Sequence, residues 1–107
     1  MSTHLSKEDI LTILRRDLPA LREEYGIERL AIYGSFARDQ SSDDSDIDIL
    51  VDLNKPLGLA FIRLVYRLEQ DLGREVDLTT FSSLARTIEG GRRVHIAREI
   101  ERSLIYV

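Results

Sequence analysis

Three aspartates carry the strongest chemical signal in this chain of 107 residues. Asp46 and Asp48 stand two apart in Asp46-Ile47-Asp48-Ile49-Leu50-Val51-Asp52, and Asp77 stands in Glu75-Val76-Asp77-Leu78. In an extended strand, residues two apart point to the same side with α-carbons about 6.5 to 7 Å apart, so Asp46 and Asp48 can reach toward a common pair of divalent ions. Asp77, on a strand of its own, can complete the cluster. Carboxylates converging on one patch repel each other unless a cation sits among them, and oxygen-only ligands suit magnesium or manganese rather than zinc or copper. Two such ions about 3.5 to 4 Å apart activate an attacking oxygen and neutralise a leaving phosphate in an in-line displacement. Asp48 and Asp77 suit the ion nearer the attacking hydroxyl, where a base must act.

A second signal lies just upstream. Gly34-Ser35 follows an apolar run and precedes one or two expected helical turns. At such a junction glycine permits close approach, and the first helical N–H groups are open to a phosphate. The Ser35 hydroxyl adds a donor. Arg38, one turn on, can reach a triphosphate or pair instead with Asp39 or Asp43.

These residues need elements to hold them. Ser6 before Lys7, Glu8 and Asp9 reads as an N-cap with an acidic first turn, and Ile10, Leu14, Leu18 and Leu21 recur at helical spacing. Pro19 is placed to kink or split that helix, and Gly26 to close it. Leu30 to Tyr33 reads as a buried strand, and residues 40 to 45, QSSDDS, as a polar loop. In the next strand Ile47, Ile49 and Val51 share one face, while Asp46, Asp48, Leu50 and Asp52 share the other. A helix follows with an apolar stripe of Phe61, Ile62, Val65, Leu68 and Leu72, stopped by Gly73. Glu75 to Thr80 is a third strand, with Val76 and Leu78 opposite Asp77 and Thr79. From Phe81 onward the chain reads as helical, broken at Gly90-Gly91, with a last helix carrying Val94, Ala97, Ile100 and Leu104. The expected architecture is α/β: a small mixed sheet, helices packed mainly on one face and the carboxylate face open as a cleft.

Each signal has a plainer reading. Asp43 and Asp44 are surface-loop carboxylates solvated in the ordinary way. A half-exposed strand can present Asp46 and Asp48 to water, Gly34 alone can be a turn glycine, Ser35 alone an N-cap, and Asp77 a charge that discourages edge pairing. What favours chemistry is their combination. His95 has no second histidine or cysteine near it and is given no role, and Arg92, Arg93 and Arg98 read as a solvated face.

Composition narrows the field. Fifteen basic against nineteen acidic residues, a formal charge of -4, argue against general attraction to phosphate backbones, so no direct nucleic-acid binding is expected. The absence of cysteine excludes a disulfide framework and a thiolate nucleophile. The length suits a single domain over residues 1 to 107. No apolar run is long enough for a membrane helix or arranged as a signal peptide, which makes the cytoplasm the default expectation.

Gly34-Ser35-Phe36-Ala37-Arg38 followed by Ser45-Asp46-Ile47-Asp48 resembles the two-part signature Gly-Ser-x-Ala-Arg-Gly and Ser-Asp-x-Asp of the minimal nucleotidyltransferases in the DNA polymerase β superfamily. Asp77 falls where that family places its third carboxylate. The resemblance covers most of the chain and implies the polymerase β-like nucleotidyltransferase fold. It also implies ATP as substrate, two magnesium ions (or manganese) at Asp46, Asp48 and Asp77, and triphosphate contacts at Gly34, Ser35 and Arg38. One position departs: Asp39 stands where the family usually has glycine.

Proteins of this kind are commonly antitoxins of HEPN-domain ribonuclease toxins, and some transfer AMP from ATP to a toxin tyrosine. The expected activity is therefore protein adenylylation, with a HEPN-domain toxin as partner. Two alternatives stand beside it: an antitoxin that acts by binding alone, which Asp39 would favour, and a nucleotidyltransferase with an RNA or small-molecule acceptor. Tyr25, Tyr33, Tyr66 and Tyr106 are further acceptor candidates among which the sequence does not choose.

Overall fold

The structure, a computed structural model, describes residues 5–37, 46–83 and 104–107. Its elements run α1 (Lys7–Tyr25), β1 (Ile27–Tyr33), α2 (Gly34–Ala37), β2 (Ile47–Leu53), α3 (Ala60–Leu72), β3 (Val76–Thr80) and β4 (Ile105–Tyr106).

α1 starts as its sequence dictates. The Asp9 N–H donates to Ser6 Oγ and the Ser6 N–H donates to Asp9 Oδ2, each at 3.1 Å, so two donors at the helix start are satisfied reciprocally. It ends at Gly26, whose φ of 70° is a left-handed conformation that costs glycine little. Of the two expectations for Pro19, a split is overturned, because α1 is continuous from Lys7 to Tyr25. Pro19 and Arg15 both lie on the exposed side, where the carbonyl that loses its donor can turn to water. On the other side, buried Leu14 and Leu21 anchor both halves.

The four strands form one mixed sheet in the order β3-β2-β1-β4. β1 pairs antiparallel with β2 and β4, while β2 pairs parallel with β3, the two joined through α3. β1 begins three residues before the expected Leu30. Ile27 is buried opposite Leu53, and an irregularity in register before Arg29 interrupts the alternation that would have revealed it.

α1 and α3 contribute to one core with Leu30, Ile32, Ile47, Ile49, Val51 and Val76, residues that register and alternation place on a common face of the sheet. In α3 the buried stripe is Leu64, Leu68 and Leu72. Ile62, expected on that stripe, is instead 52% exposed, since at about 100° per residue it lies roughly 200° around the helix from Leu64. The opposite sheet face is also partly covered, for Ala31 and Leu50, which pair across β1 and β2, are 0% and 1% exposed.

The expected final helix is corrected at its end. Leu104 is not helical, and Ile105–Tyr106 form β4, with the Val107 N–H donating to the Leu30 carbonyl at 2.8 Å. A β-branched residue followed by an aromatic suits a half-buried edge strand. Phe81 to Ser83 are helical as expected, capped by Thr80 Oγ1 accepting from the Ser83 N–H at 3.0 Å. Gly90, Gly91, Val94, Ala97 and Ile100 lie outside the described residues.

Candidate active site

Strand register decides which polar side chains meet. Tyr33 of β1 is the cross-strand partner of Asp48 on β2, and Asp48 is the partner of Asp77 on β3. One row across the sheet therefore reads Tyr33, Asp48, Asp77, with neighbouring α-carbons about 5 Å apart. Two residues further along β3, Thr79 pairs with Leu50, which in turn pairs with Ala31. All of these project from the face opposite the main core. Asp46 precedes β2 and is exposed, Asp48 is half-buried and Asp77 is exposed.

The two parts of the sequence signature touch through a glycine. Gly34 opens α2 with a φ of 76°, and a Cβ built there would lie 2.2 Å from Asp48 Oδ2. The Asp48 carboxylate thus lies against the turn where β1 becomes α2. Two separate constraints, a left-handed backbone and a carboxylate at contact distance, require glycine at this position. The backbone of Ser35 continues α2 from there, whereas Arg38 and Asp39 lie outside the described residues.

Side-by-side aspartates and an adjoining backbone cradle form an oxygen-only donor set that fits a hard divalent cation. Asp46 enters the same face, but among the described residues no three histidine, cysteine or acidic side chains are gathered into a closed metal-ligand group.

Tyr33 and Thr79 are the members of this site that sequence reading did not assign. Burial pushes the Tyr33 phenol above its ordinary range, the hydroxyl of Thr79 draws it back, and the charges of Asp48 and Asp77 raise it again. The phenol is consequently neutral at neutral pH. Strand parity was the available clue, because Tyr33 is an odd step from Ile32 and Thr79 an even step from Asp77.

Toward the other end of the same face the charges are compensated. Arg29 Nε donates to Asp52 Oδ2 at 3.0 Å, and the guanidinium sits 4.5 Å from the centroid of the Phe81 ring. Phe81 in turn stacks with Tyr106, with ring centroids 6.4 Å apart and planes 6° from parallel. Asp52, though in phase with Asp46 and Asp48, is thereby engaged elsewhere. A cavity of about 360 Å³ lined by Leu53, Asn54, Lys55, Pro56, Thr80 and Ser82 lies beyond this end, remote from the carboxylate row and without an acidic residue in its lining.

Among the described residues no helix is long and apolar enough to cross a membrane. The chain is 38% identical over 104 residues to the protein adenylyltransferase MntA of Thermococcus cleftensis, covering 96% of this chain and 97% of that one. Its fold matches a solved structure classed as a minimal nucleotidyltransferase with a TM-score of 0.66 and 29% identity, over 97% of this chain and 98% of the other. It also matches a chain of a toxin-antitoxin crystal structure with AMP-PNP, with a TM-score of 0.53 and 28% identity, over 74% of this chain and 60% of that chain. Residues 14–107 match the family described as nucleotidyltransferase domain, and with the polymerase β-like mixed sheet and the Gly34-to-Asp48 contact in place, the chain belongs to that family.

Proposed function

We propose that this protein transfers AMP from ATP to a tyrosine of a HEPN-domain ribonuclease toxin and so neutralises it. The observation that carries this reading is the pairing of Asp48 with Asp77 while the Asp48 carboxylate lies against Gly34. This brings anionic ligands for a cation beside a helix start suited to phosphate. The likeness to a protein adenylyltransferase and to a toxin-antitoxin structure with AMP-PNP supports it.

In this reading Asp46, Asp48 and Asp77 hold magnesium, two ions in all, with manganese as a substitute. When bound, the metal would offset the negative charge of the phosphates and of the attacking oxygen. The Gly34 backbone, Ser35 and Arg38 hold the triphosphate. Asp77 accepts the proton of the incoming tyrosine hydroxyl. The tyrosine oxygen forms its bond to the α-phosphorus as the bond to pyrophosphate breaks, leaving an O-AMP tyrosine on the partner.

The test is intact-mass analysis of a co-expressed toxin after incubation with ATP and magnesium. Mass added in AMP steps is expected with the unaltered protein and absent with Asp46→Asn, Asp48→Asn. A complex that forms and neutralises the toxin without added mass would establish the second reading, an antitoxin that acts by binding. That reading is favoured by Asp39, where the family usually carries glycine.

A further inference from the structure

We propose that Glu69 is a positioning residue of this site: it clamps the turn between α3 and β3 and so sets Asp77 level with Asp48. The inference rests on the reading of Asp48 and Asp77 as cation ligands.

Alternation alone leaves the level of Asp77 open. A slip of β3 by one residue would turn Val76 and Leu78 away from the core, and their burial resists it. A slip by two residues, about 6.6 Å, meets no such resistance. If Leu78 stood opposite Ile47 in place of Val76, an apolar side chain would still face the core there, yet Thr79 rather than Asp77 would lie level with Asp48. Among the described residues β3 is also the outermost strand, held on one side by β2.

Glu69 fixes the register through both ends of the turn Gly73-Arg74-Glu75. Its carbonyl accepts from the Gly73 N–H at 2.8 Å where α3 ends, and its Oε2 accepts from the Val76 N–H at 3.1 Å where β3 begins. The Val76 N–H points away from β2, because the ladder there runs through Glu75, whose carbonyl accepts from the Ile47 N–H at 3.0 Å. Ile47 stands between Asp46 and Asp48, so the turn is tied to the strand segment that carries both carboxylates. A slip of two residues would take the Val76 N–H out of reach of a side chain anchored on α3. Ligands already held level with one another do not have to be ordered when a cation binds. Glu69 touches no reacting atom and acts on Asp77 through the backbone of β3.

The test is a direct measurement of Mn²⁺ binding by electron paramagnetic resonance of the free ion, without nucleotide or partner. The proteins compared are the unaltered chain, Glu69→Ala, Glu69→Met, Glu69→Gln and Arg29→Ala, each well below its thermal midpoint. Alanine, methionine and glutamine all suit a helix interior, so the Glu69 variants differ chiefly in the bond to Val76. Glu69→Ala and Glu69→Met remove the acceptor and should weaken Mn²⁺ binding about tenfold or more, the scale typical of groups that orient metal ligands. Glu69→Gln loses the same charge but keeps an acceptor oxygen, and should restore most of that affinity. Arg29→Ala, which loosens the other end of the sheet face, should stay within about twofold of the unaltered chain. Should Glu69→Ala fail to fold, the Met and Gln variants decide alone. Ala and Met variants within about twofold of the unaltered protein, a Gln variant as weak as they are, or an equal loss in Arg29→Ala would overturn the inference and leave the site reading standing. An unaltered protein that takes up no Mn²⁺ would overturn the site reading and the role of Glu69 together.

Discussion

Two ends of one sheet face are built to opposite electrostatic rules. At one end Asp48 and Asp77 are set side by side as like charges, beside a half-buried phenol and a glycine that admits a carboxylate to contact. At the other, Asp52 is joined to Arg29, the guanidinium rests on Phe81 and Phe81 stacks on Tyr106. The strands β1 and β2 supply both ends, so neither composition nor strand type separates them. Compensated charge under aromatic cover ties strands together. Juxtaposed like charge stores an unfavourable interaction that a cation can relieve, which is why binding is expected at that end.

The sharpest way to break this contrast is Gly34→Ala. An alanine at a φ of 76° costs about 1–2 kcal/mol in backbone strain alone, and its Cβ would displace the Asp48 carboxylate. Displacement on the ångström scale is expected to lower AMP transfer about a hundredfold, while the midpoint of chemical denaturation falls by the strain. Transfer and midpoint both unchanged would show that the approach of Asp48 to Gly34 is not needed.

Arg29→Ala probes the other end. Removing the partner of Asp52 and the cation over Phe81 should cost about 1 kcal/mol of stability, since both groups are partly exposed. AMP transfer measured well below the melting temperature should remain within about twofold of the unaltered chain. A large loss of transfer at full stability would mean that the two ends are coupled.

The smallest effect is expected away from this face, where α1 meets α3. Hydrogen bonding to Asp17, burial and the Asp17 charge raise the Asp71 carboxyl above its ordinary value, against the opposing charges of Arg67 and Arg16. The bond between two carboxyl groups needs a proton, and with both ionised Asp17 Oδ2 is buried without a donor. A raised carboxyl favours the folded state in its protonated form. Its contribution is therefore full below the unfolded value of 3.8 and is lost as pH rises through the folded value. Asp71→Asn keeps a donor at neutral pH, so it should raise stability there by about 1 kcal/mol or less and flatten the decline of stability above pH 3.8. A pH profile of urea unfolding identical in the two proteins would remove the shared proton from the account.

Much of the site was legible in the sequence because it depends on short-range rules. Alternation along β2 put Asp46, Asp48 and Asp52 on one side and Ile47, Ile49 and Val51 on the other, and the core follows that division. Gly26 and Gly73 were readable as helix stops because only a left-handed turn explains a glycine just past an apolar stripe. Leu50 broke the rule: alternation put it with the aspartates, yet it is buried. The end of the chain misled for a related reason. Leu104 fits a helical stripe by spacing, but β1 offers Ile105 and Tyr106 unsatisfied backbone groups, and edge pairing prevails.

By itself, the sequence determined which side chains share a strand face, where α1 starts and where α1 and α3 stop. Only the tertiary structure decided that β3 lies beside β2, that Asp77 falls level with Asp48 rather than one step along, and that Tyr33 stands opposite Asp48. The physical reason is that a face follows from the geometry of neighbouring residues, whereas strand order and register follow from how α1 and α3 bury their stripes against the sheet, a balance of contacts between residues far apart in the chain.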